Sequence, residues 1–408
     1  MENKLYLNKH VLLYNEDENS CNEEIVYIKQ HFCGIVIDDV SKLNQSNNDS
    51  NDNTIIYIFG NIKDILNKIS NKDGKLFYVI KEMSSNYDDS DKITVITLGE
   101  VPINIHNVGI FFRQFFDTNK NYFELLNKEH QFQLLTESNK PGTSYRKGVY
   151  ITNVEEQDDV TYFNLLRCST NLDGPTNNFK ETDNEIITKV NNISSYFFDQ
   201  KTDLNHVLAQ IYNNVNLNGK DKKAKIKVHS DKTKDMPING LMAFTTFYQF
   251  NDGDSKNIKK HKDDPYDYYY NNISVLTKLC FRLKTCVTNP NYVKKFDVIL
   301  YPNSVFLMSL TTNRLYTHEI VPSQLPVNKL PTRLGYVIRC SKTKGIFKNN
   351  QTYIENDNNE LIKLEKPTHE KTKELKDVYF KENTSDELIN YGVVNFSLNN
   401  GDYVKPIV

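Results

Sequence analysis

Short runs of alternating apolar and polar residues occupy the first hundred positions of the chain. Examples are NTIIYIFG at 53–60, KLFYVIKEM at 75–83 and KITVITLGEV at 92–101. Alternation over roughly four to eight residues predicts half-buried β-strands. The polar decapeptide at 44–53 interrupts these runs, and its composition predicts a flexible loop. We expect residues 1–105 to form a small N-terminal α/β or α+β domain.

The apolar spacing changes after Val108, where apolar residues recur three and four positions apart. This period is typical of an amphipathic α-helix, so we expect helices within 108–135 and within 182–198. Thr182 or Asp183 is the expected N-cap of the second helix, because both side chains can accept a hydrogen bond from a free backbone amide.

Strand signals crowd together between Leu204 and about residue 342. Many short apolar runs separated by turn residues predict an antiparallel barrel or sandwich, with the polar stretch 251–272 as an insertion. We place this domain at 106–345 and expect the helices that precede Leu204 to flank it. Residues 346–408 are expected to form a charged C-terminal extension that contains a solvated helix.

The composition suits a globular protein, since 38% of the residues are hydrophobic and 12% are aromatic. The 50 basic and 52 acidic side chains leave a formal net charge of -2, so any attraction to a polyanion must be local. No apolar run approaches the roughly 18 residues of a membrane-spanning helix, and no membrane partner is expected. Six cysteines without a CxxC pair, and a start unlike a signal peptide, predict free thiols in an intracellular, reducing compartment, the cytoplasm or nucleus.

A histidine and an aspartate stand two positions apart in KVHSDKTKDM, at His229 and Asp231. In an extended segment, residues i and i+2 point to the same side, so both side chains can reach one metal ion. A third ligand is required. His318 in the strand-like run RLYTHEIV is a better candidate than His261, which lies in the polar insertion. Two histidines and one carboxylate form the facial triad of non-haem Fe(II) oxygenases; an HxD pair on a surface loop is the alternative.

The run TRLGYVIRC places Arg333, Gly335, Val337 and Arg339 on one face of a predicted strand and apolar residues on the other. Two guanidinium groups that face a barrel interior are costly unless anions satisfy them. A dicarboxylate would do so, because a guanidinium pairs with a carboxylate through two parallel hydrogen bonds. The alternative is that both arginines pair with local acids on an exposed face. The order HxD, His, Arg favours the metal site over coincidence.

These motifs resemble the AlkB family of Fe(II)/2-oxoglutarate dioxygenases. LNHVLAQIYNN at 204–214 resembles the family's Asn-x-x-x-x-Asn-x-Tyr stretch, and IKVHSD resembles its metal strand. SVFLMSLTTNRLYTHEI resembles the segment that ends in the second histidine, and RLGYVIR matches RxxxxxR. The resemblance covers about residues 109–342. It implies an α+β fold built on a double-stranded β-helix, a jelly-roll oxygenase barrel with flanking helices.

The resemblance also implies roles for individual residues. The three expected ligands, His229, Asp231 and His318, would bind Fe(II) as the catalytic centre. Four side chains would contact the co-substrate 2-oxoglutarate: Arg333 and Tyr212 at its distal carboxylate, Arg339 near its metal-chelating end, and Gln210 as an amide donor.

Three positions depart from the family pattern. Gln210 stands where the family has asparagine, and Gly335 replaces a polar residue that is common between the two arginines. Lys232 and Thr233 follow Asp231, where repair members of the family often carry an acid that contacts the damaged base. The last change leaves the expected metal ligands intact and puts base recognition in doubt.

The implied reaction uses Fe(II), with 2-oxoglutarate and O2 as co-substrates, to hydroxylate or oxidatively demethylate a nucleic-acid base and releases succinate and CO2. Lys225 and Lys227, in a lysine-rich run beside the metal strand, would attract phosphate. Tyr145 and Arg146 lie where the family builds its nucleotide lid, and tyrosines at 266–270 offer further rings on which bases stack. A solvated lysine face and packed tyrosines are the alternatives.

Two other functions stay open at this point. Barrels of this type also hydroxylate or demethylate protein side chains, and the substrate that couples 2-oxoglutarate turnover to product would discriminate between the two classes. A catalytically silent nucleic-acid-binding module is the second alternative, although all three expected iron ligands are present. The oligomeric state and the role of the first domain are not predicted.

Overall fold

The computed structural model describes residues 9–14, 23–45, 54–70, 72–88, 92–136, 143–170, 172–199, 202–250, 257–355 and 360–408. Most of the polar decapeptide, residues 46–53, lies outside these ranges, as does Cys21. Seven α-helices and 28 strands are assigned within them, so the chain is a mixed α+β protein, as expected. The five cysteines in the described part of the chain are free thiols.

The N-terminal part of the chain forms a parallel sheet with helices on both faces. Its elements are β1 (His10–Tyr14), α1 (Glu23–His31), β2 (Ile35–Ile37), α2 (Val40–Gln45), β3 (Thr54–Asn61), α3 (Ile62–Lys68), β4 (Lys75–Ser85) and β5 (Ile93–Ile96). The strand order is β2-β1-β3-β4-β5. Helix α1 packs with Leu12 and Tyr57 on one face, while α2 and α3 pack with Leu13 and Ile58 on the other.

The middle of the chain, up to the strand that carries Gln210, adds eight strands and two helices. They are β6 (Ile103–Ile105), β7 (Gly109–Phe112), α4 (Tyr122–Glu129), β8 (Gln133–Thr136), β9 (Thr143–Thr152), β10 (Val154–Gln157), β11 (Val160–Leu165), β12 (Asn177–Asn178), α5 (Glu181–Phe197) and β13 (His206–Tyr212).

The remaining elements are mostly strands. They are β14 (Val215–Leu217), β15 (Lys220–Lys222), β16 (Ile226–His229), β17 (Leu241–Gln249), β18 (Lys259–Lys260), β19 (Tyr268–Tyr270), β20 (Ile273–Ser274), β21 (Lys278–Leu283), β22 (Lys295–Ile299), β23 (Ser304–Ser309), α6 (Leu310–Leu315), β24 (Tyr316–Val321), β25 (Thr332–Arg339), β26 (Thr343–Lys348), β27 (Gln351–Glu355), β28 (Leu361–Lys363) and α7 (His369–Thr384).

Two sheets from this second part of the chain pack face to face. The larger sheet has nine strands in the order β12-β9-β13-β25-β17-β23-β7-β6, with β8 paired to β9, and the smaller has the order β16-β24-β21-β22. Between them, the rings of Phe281 and Phe306 lie 5.4 Å apart, as do the rings of Phe244 and His318. Helices α4 and α5 cover the outer face of the larger sheet.

Two predictions for the region before Leu204 need correction. Residues 109–112 are a strand that pairs with β23, not part of a helix. A short apolar run is compatible with the helical and the strand period alike, and here the hydrogen bonds to β23, far along the chain, make it a strand. The helix at 182–198 is confirmed, but its N-cap is Lys180. Asp183 lies three residues inside the cap, where its carboxylate accepts from the Lys180 amide at 2.8 Å.

The C-terminal residues share a sheet with strands from earlier in the chain. Strands β26, β27 and β28 join β10 and β11 in a five-stranded antiparallel sheet, and β26 crosses the boundary predicted at residue 345. The predicted helix is present as α7; its first half is mostly exposed, whereas Tyr379 and Glu382 are buried. The division of the chain at 105 and 345 stays a prediction. Within the described ranges, no helix is long and apolar enough to cross a membrane.

Candidate metal centre

One strand pairing assembles the expected metal ligands. Strand β16 lies antiparallel to β24, and His229 is directly opposite His318 in their register. Residues that face each other in an antiparallel pair project from the same side of the sheet. The chain leaves β16 at Ser230, whose hydroxyl donates to the Tyr316 carbonyl at 3.2 Å, and this turn brings Asp231 beside the two imidazoles.

The three ligand atoms lie within 4.8 Å of one another. Oδ1 of Asp231 is 3.3 Å from Nε2 of His229 and 3.9 Å from Nε2 of His318. The two imidazole rings are 4.5 Å apart between centroids. The three donors therefore converge on one point.

Arg339 holds the other oxygen of Asp231. Its Nε and Nη2 donate to Oδ2 at 2.8 Å and 2.7 Å. Burial by itself would raise the pKa of Asp231, but the Arg339 guanidinium holds this pKa well below its usual range. The carboxylate is therefore ionised at neutral pH and can bind a cation through Oδ1. The alternative for the two arginines was pairing with local acids on an exposed face. Arg339 does pair with an acid, Asp231, but both side chains are buried.

Both histidines are suited to bind a metal through Nε2. Nδ1 of His229 lies 2.8 Å from the Lys227 carbonyl. Because a carbonyl only accepts, Nδ1 is the donor in this contact, and Nε2 is the nitrogen that faces Asp231, 3.3 Å from Oδ1. Burial lowers the pKa of His318 to about 3, with a further contribution from His229. His318 is therefore a neutral imidazole at pH 7, the form that ligates metals.

The turn that carries Asp231 is held on two sides. Asn313 in α6 accepts from the Asp231 amide at 2.8 Å and donates to its carbonyl at 3.0 Å. From the C-terminal helix α7, Asn383 accepts from the Ser230 amide at 2.9 Å. Sequence reasoning missed both asparagines, since the chain is rich in asparagine and neither stands in a motif.

Unpaired donors lie on the larger sheet, on β25, the strand that also carries Arg339, and on its neighbour β13. Arg333 is 2% exposed, and its Nε and Nη1 have no hydrogen-bond partner among the described residues, nor has Nε2 of Gln210. Tyr212 donates to Oε1 of Gln210 at 3.2 Å, and the Arg333 guanidinium lies 4.5 Å from the Tyr212 ring centroid. A buried, unpaired guanidinium is costly, so these donors fit a bound anion such as a carboxylate.

Gly335 accommodates that guanidinium. A Cβ atom at this position would lie 2.8 Å from Nη2 of Arg333 and 3.1 Å from its Cζ, closer than non-bonded atoms pack. Gly335 pairs with Gln210 on one side and Thr246 on the other. Because Gly335 has no side chain, the Arg333 guanidinium can lie directly over this position of the strand.

The residues expected to contact a substrate are more scattered. Lys225 and Lys227 are both exposed; Lys225 immediately precedes β16, the strand that ends in His229, and Lys227 lies within it. Arg146 is half-buried and lies opposite Tyr212, which in turn lies opposite Arg333. Tyr145 is half-buried and packs against the apolar cluster between the two sheets. Only Arg146 shares the face of the co-substrate donors.

Two lysines that follow Asp231, Lys232 and Lys234, bind other parts of the chain. Lys232 is buried, and its ammonium donates to Asn383 at 2.7 Å and to the Tyr379 carbonyl at 3.1 Å. Lys234 donates to the Arg167 carbonyl at 2.9 Å, and burial lowers its pKa to about 8. Neither ammonium is available to a phosphate. The lysine-rich run therefore offers less surface charge than its composition predicts.

The tyrosines of the polar insertion pack against neighbouring side chains. Tyr266 is buried, with the Arg113 guanidinium 4.5 Å from its ring centroid. The Tyr268 ring lies 4.8 Å from that of Phe250. The ring of Tyr269 lies 4.3 Å from that of His261. These contacts favour the packing alternative for the cluster.

A second group with metal-ligand chemistry comprises Glu129, His130 and Asp183. Its atoms already bind one another: Nε2 of His130 is 2.7 Å from Oδ2 of Asp183, and the Tyr336 hydroxyl donates to Oδ1 of Asp183 at 2.7 Å. The group joins α4, α5 and β25 by hydrogen bonds and leaves little ligand capacity for an ion.

No protein-family model matches the chain, and no curated protein matches its sequence. A similar solved structure is that of OsALKBH1, with 11% sequence identity and a TM-score of 0.32 over 57% of this chain and 97% of that chain. Another is SnoN, a non-heme alpha ketoglutarate dependent epimerase from nogalamycin biosynthesis, with 10% identity and a TM-score of 0.31 over 58% of this chain and 80% of that chain. At these TM-scores neither likeness carries an argument about function.

Proposed function

We propose that this chain is an Fe(II)- and 2-oxoglutarate-dependent oxygenase whose metal ligands are His229, Asp231 and His318. The observation that carries the proposal is the pairing of β16 with β24, which brings the three ligand atoms within 4.8 Å of one another. Two imidazoles and one carboxylate suit non-haem Fe(II) and leave coordination positions for other ligands. The ionised Asp231 and the neutral His318 fit this metal without any change of protonation.

The proposal includes the double-stranded β-helix. Two sheets pack face to face. The two histidines come from the smaller sheet, with Asp231 just beyond its strand β16, and the expected co-substrate side chains come from the larger sheet. The cavity of the proposed jelly roll would lie between the two groups. The sequence resemblance to the AlkB family supports the same interpretation.

Arg333 is proposed to bind the distal carboxylate of 2-oxoglutarate, with Tyr212 and Gln210 beside it. Its unpaired Nε and Nη1 would each donate one hydrogen bond. Arg339 would keep Asp231 ionised and oriented, since two of its nitrogens already hold Oδ2. When bound, Fe(II) and 2-oxoglutarate would supply the chemistry of C–H oxidation, with O2 consumed and succinate and CO2 released.

The proposed substrate is a nucleic-acid base. Its support is the exposed pair Lys225 and Lys227 beside His229, together with Arg146 on the face of the co-substrate donors. Exposed lysines attract a phosphate backbone. A protein side chain is the second candidate, because the structural lysines and packed tyrosines described above remove much of the expected base-binding surface.

The metal and co-substrate proposal is tested by absorption spectroscopy under anaerobic conditions. Protein loaded with Fe(II) and 2-oxoglutarate should show a weak visible charge-transfer band that His229→Ala and Arg333→Ala abolish. His261→Ala is the matched control, since this histidine lies in the insertion, and it should keep the band. A wild type that folds, takes up iron and shows no band would contradict the proposal.

The substrate class is tested by succinate formation. Methylated oligonucleotides and methylated peptides are supplied in parallel, and the substrate that accelerates succinate release identifies the class. Lys225→Glu with Lys227→Glu should weaken salt-dependent oligonucleotide binding, whereas Lys373→Glu with Lys376→Glu, on the exposed side of α7, should not. No detectable oligonucleotide binding at low salt would exclude the nucleic-acid substrate.

A further inference from the structure

The residues that follow Asp231 are bound by the C-terminal helix α7. Lys232 donates to Asn383 and to the Tyr379 carbonyl. The Thr233 amide donates to Oε1 of Glu382 at 3.1 Å, and the Thr233 hydroxyl donates to the same oxygen. With the Ser230 amide on Asn383, three positions on either side of Asp231, namely 230, 232 and 233, bond to residues 379–383 of α7.

The contacting turn of α7 is itself fixed in place. Lys284, which follows β21 in the smaller sheet, donates to the carbonyls of Glu382 and Ser385 at 2.6 Å and 2.9 Å. The Tyr391 hydroxyl donates to the second oxygen of Glu382. Glu382 is 5% exposed, so its bonds are little weakened by water. The turn of α7 is therefore a rigid support for the residues around Asp231.

We propose that α7 is a structural part of the metal centre, and that Asn383 and Glu382 are positioning residues that set metal affinity by fixing the turn at Asp231. This inference rests on the proposed function, since it takes Asp231 as a metal ligand. Asn313 in α6 binds the backbone amide and carbonyl of Asp231. The turn is therefore held between α6 and α7, and α7 begins more than 130 positions after Asp231.

The physical reason is the precision that a three-ligand site requires. Asp231 lies beyond the end of β16, so strand pairing does not fix its backbone. Groups that orient a ligand from outside the coordination sphere typically change metal affinity about 10- to 100-fold when removed. The side chains of Lys232 and Thr233 bond to α7, which also explains why these positions do not carry a substrate-binding acid.

The test is a titration of the metal-free, full-length protein with Co(II), followed by its visible absorption. Asn383→Ala removes the acceptor for the Ser230 amide and the Lys232 ammonium, and we expect Co(II) affinity to fall about 10- to 100-fold. Asn383→Asp keeps an acceptor oxygen and should bind Co(II) within about threefold of wild type. Glu374→Ala, on an exposed position of α7, is the matched control and should not differ from wild type.

Thermal unfolding of each metal-free variant separates positioning from a purely structural role. A folded Asn383→Ala that binds Co(II) with the affinity and spectrum of wild type would overturn the inference. If Asn383→Ala does not fold, Lys232→Met, which removes only the ammonium contacts to α7, decides the matter: it supports the inference by weakening Co(II) binding and overturns it by leaving binding unchanged. A wild type that binds no Co(II) would instead refute the metal centre itself.

Discussion

Replacement of Arg333 by methionine should have opposite effects on co-substrate binding and on the stability of the unliganded protein. Arg333 is buried with two unpaired nitrogens in the described part of the chain. If the charge exists to bind a carboxylate, its removal destroys a binding group and at the same time removes a destabilising one. A structural arginine would show the reverse, since its removal would leave a partner unpaired.

The expected magnitudes follow from the contacts. Two hydrogen bonds between charged groups are worth about 1.5 to 3 kcal/mol each, so the loss of both weakens 2-oxoglutarate binding by about a hundredfold to ten-thousandfold. Replacing a buried charge by an apolar side chain stabilises proteins by about 1 to 4 kcal/mol. The lost contact with the Tyr212 ring, about 0.5 to 2 kcal/mol, offsets part of this gain. The middle of the two ranges gives an expected net gain of about 1 kcal/mol.

The assay combines calorimetry with urea unfolding. Binding of 2-oxoglutarate is measured on Mn(II)-loaded protein, which binds without turnover, and unfolding is measured without metal. Arg333→Lys should lose most of the affinity as well, because an ammonium lacks the planar pair of donors. Arg282→Met is the matched control: this arginine is half-exposed and pairs with Glu319 at 2.7 Å, so both measurements should stay near wild type.

Two results would refute the reasoning. If Arg333→Met binds 2-oxoglutarate as wild type does, the guanidinium is not the carboxylate ligand. If it lowers the free energy of unfolding by several kcal/mol, Arg333 has a structural partner and its apparent lack of one does not indicate a ligand.

Three further predictions follow from the same structure. Gly335→Ala should weaken 2-oxoglutarate binding about tenfold or more, because the new methyl group displaces the Arg333 guanidinium; unchanged affinity in the same calorimetric assay would contradict this. Burial lowers the pKa of His206 from 6.5 to about 3. Between these pH values the His206 imidazole is protonated in the unfolded chain and not in the folded one, so the free energy of unfolding decreases as the pH falls through this range. The loss at pH 5 is about 2 kcal/mol from this residue, and His206→Asn should flatten the dependence of the urea-unfolding free energy on pH; an unaltered slope argues against it. Arg167→Met should cost about 3 kcal/mol in urea unfolding, the low end for a broken buried ion pair, since it removes the guanidinium 2.6 Å from the Asp235 carboxylate while Lys234 and Thr343 still contact that carboxylate; a loss below 1 kcal/mol would show that the pair is dispensable.

The proposed metal ligands could be predicted from the sequence because their signal is local. His229 and Asp231 stand two positions apart, and His318 lies on the buried side of an alternating strand. The arginine face of β25 follows from the same two-residue period, and the pairings of Gln210, Gly335 and Thr246 agree with it. Alternation in a strand is a property of the backbone, so a short stretch of sequence carries it.

Other features depend on partners far along the chain. Residues 109–112 have an apolar run that fits helix and strand alike, and pairing with β23 decides for strand. Lys232 and Lys234 look like surface charge in the sequence, but Asn383, Tyr379 and Arg167 supply acceptors that make their burial possible. No pattern within ten or twenty residues predicts such partners.

The sequence by itself determined the composition of the site: which side chains offer metal-binding atoms, which offer positive charge, and which faces of the strands they occupy. Only the tertiary structure decided that His229 lies opposite His318, that Arg339 rather than a ligand takes one oxygen of Asp231, and that α7 supports the turn. The physical reason is that strand register and helix docking are set by long-range packing and hydrogen bonding, whereas alternation and donor chemistry belong to each residue and its immediate neighbours.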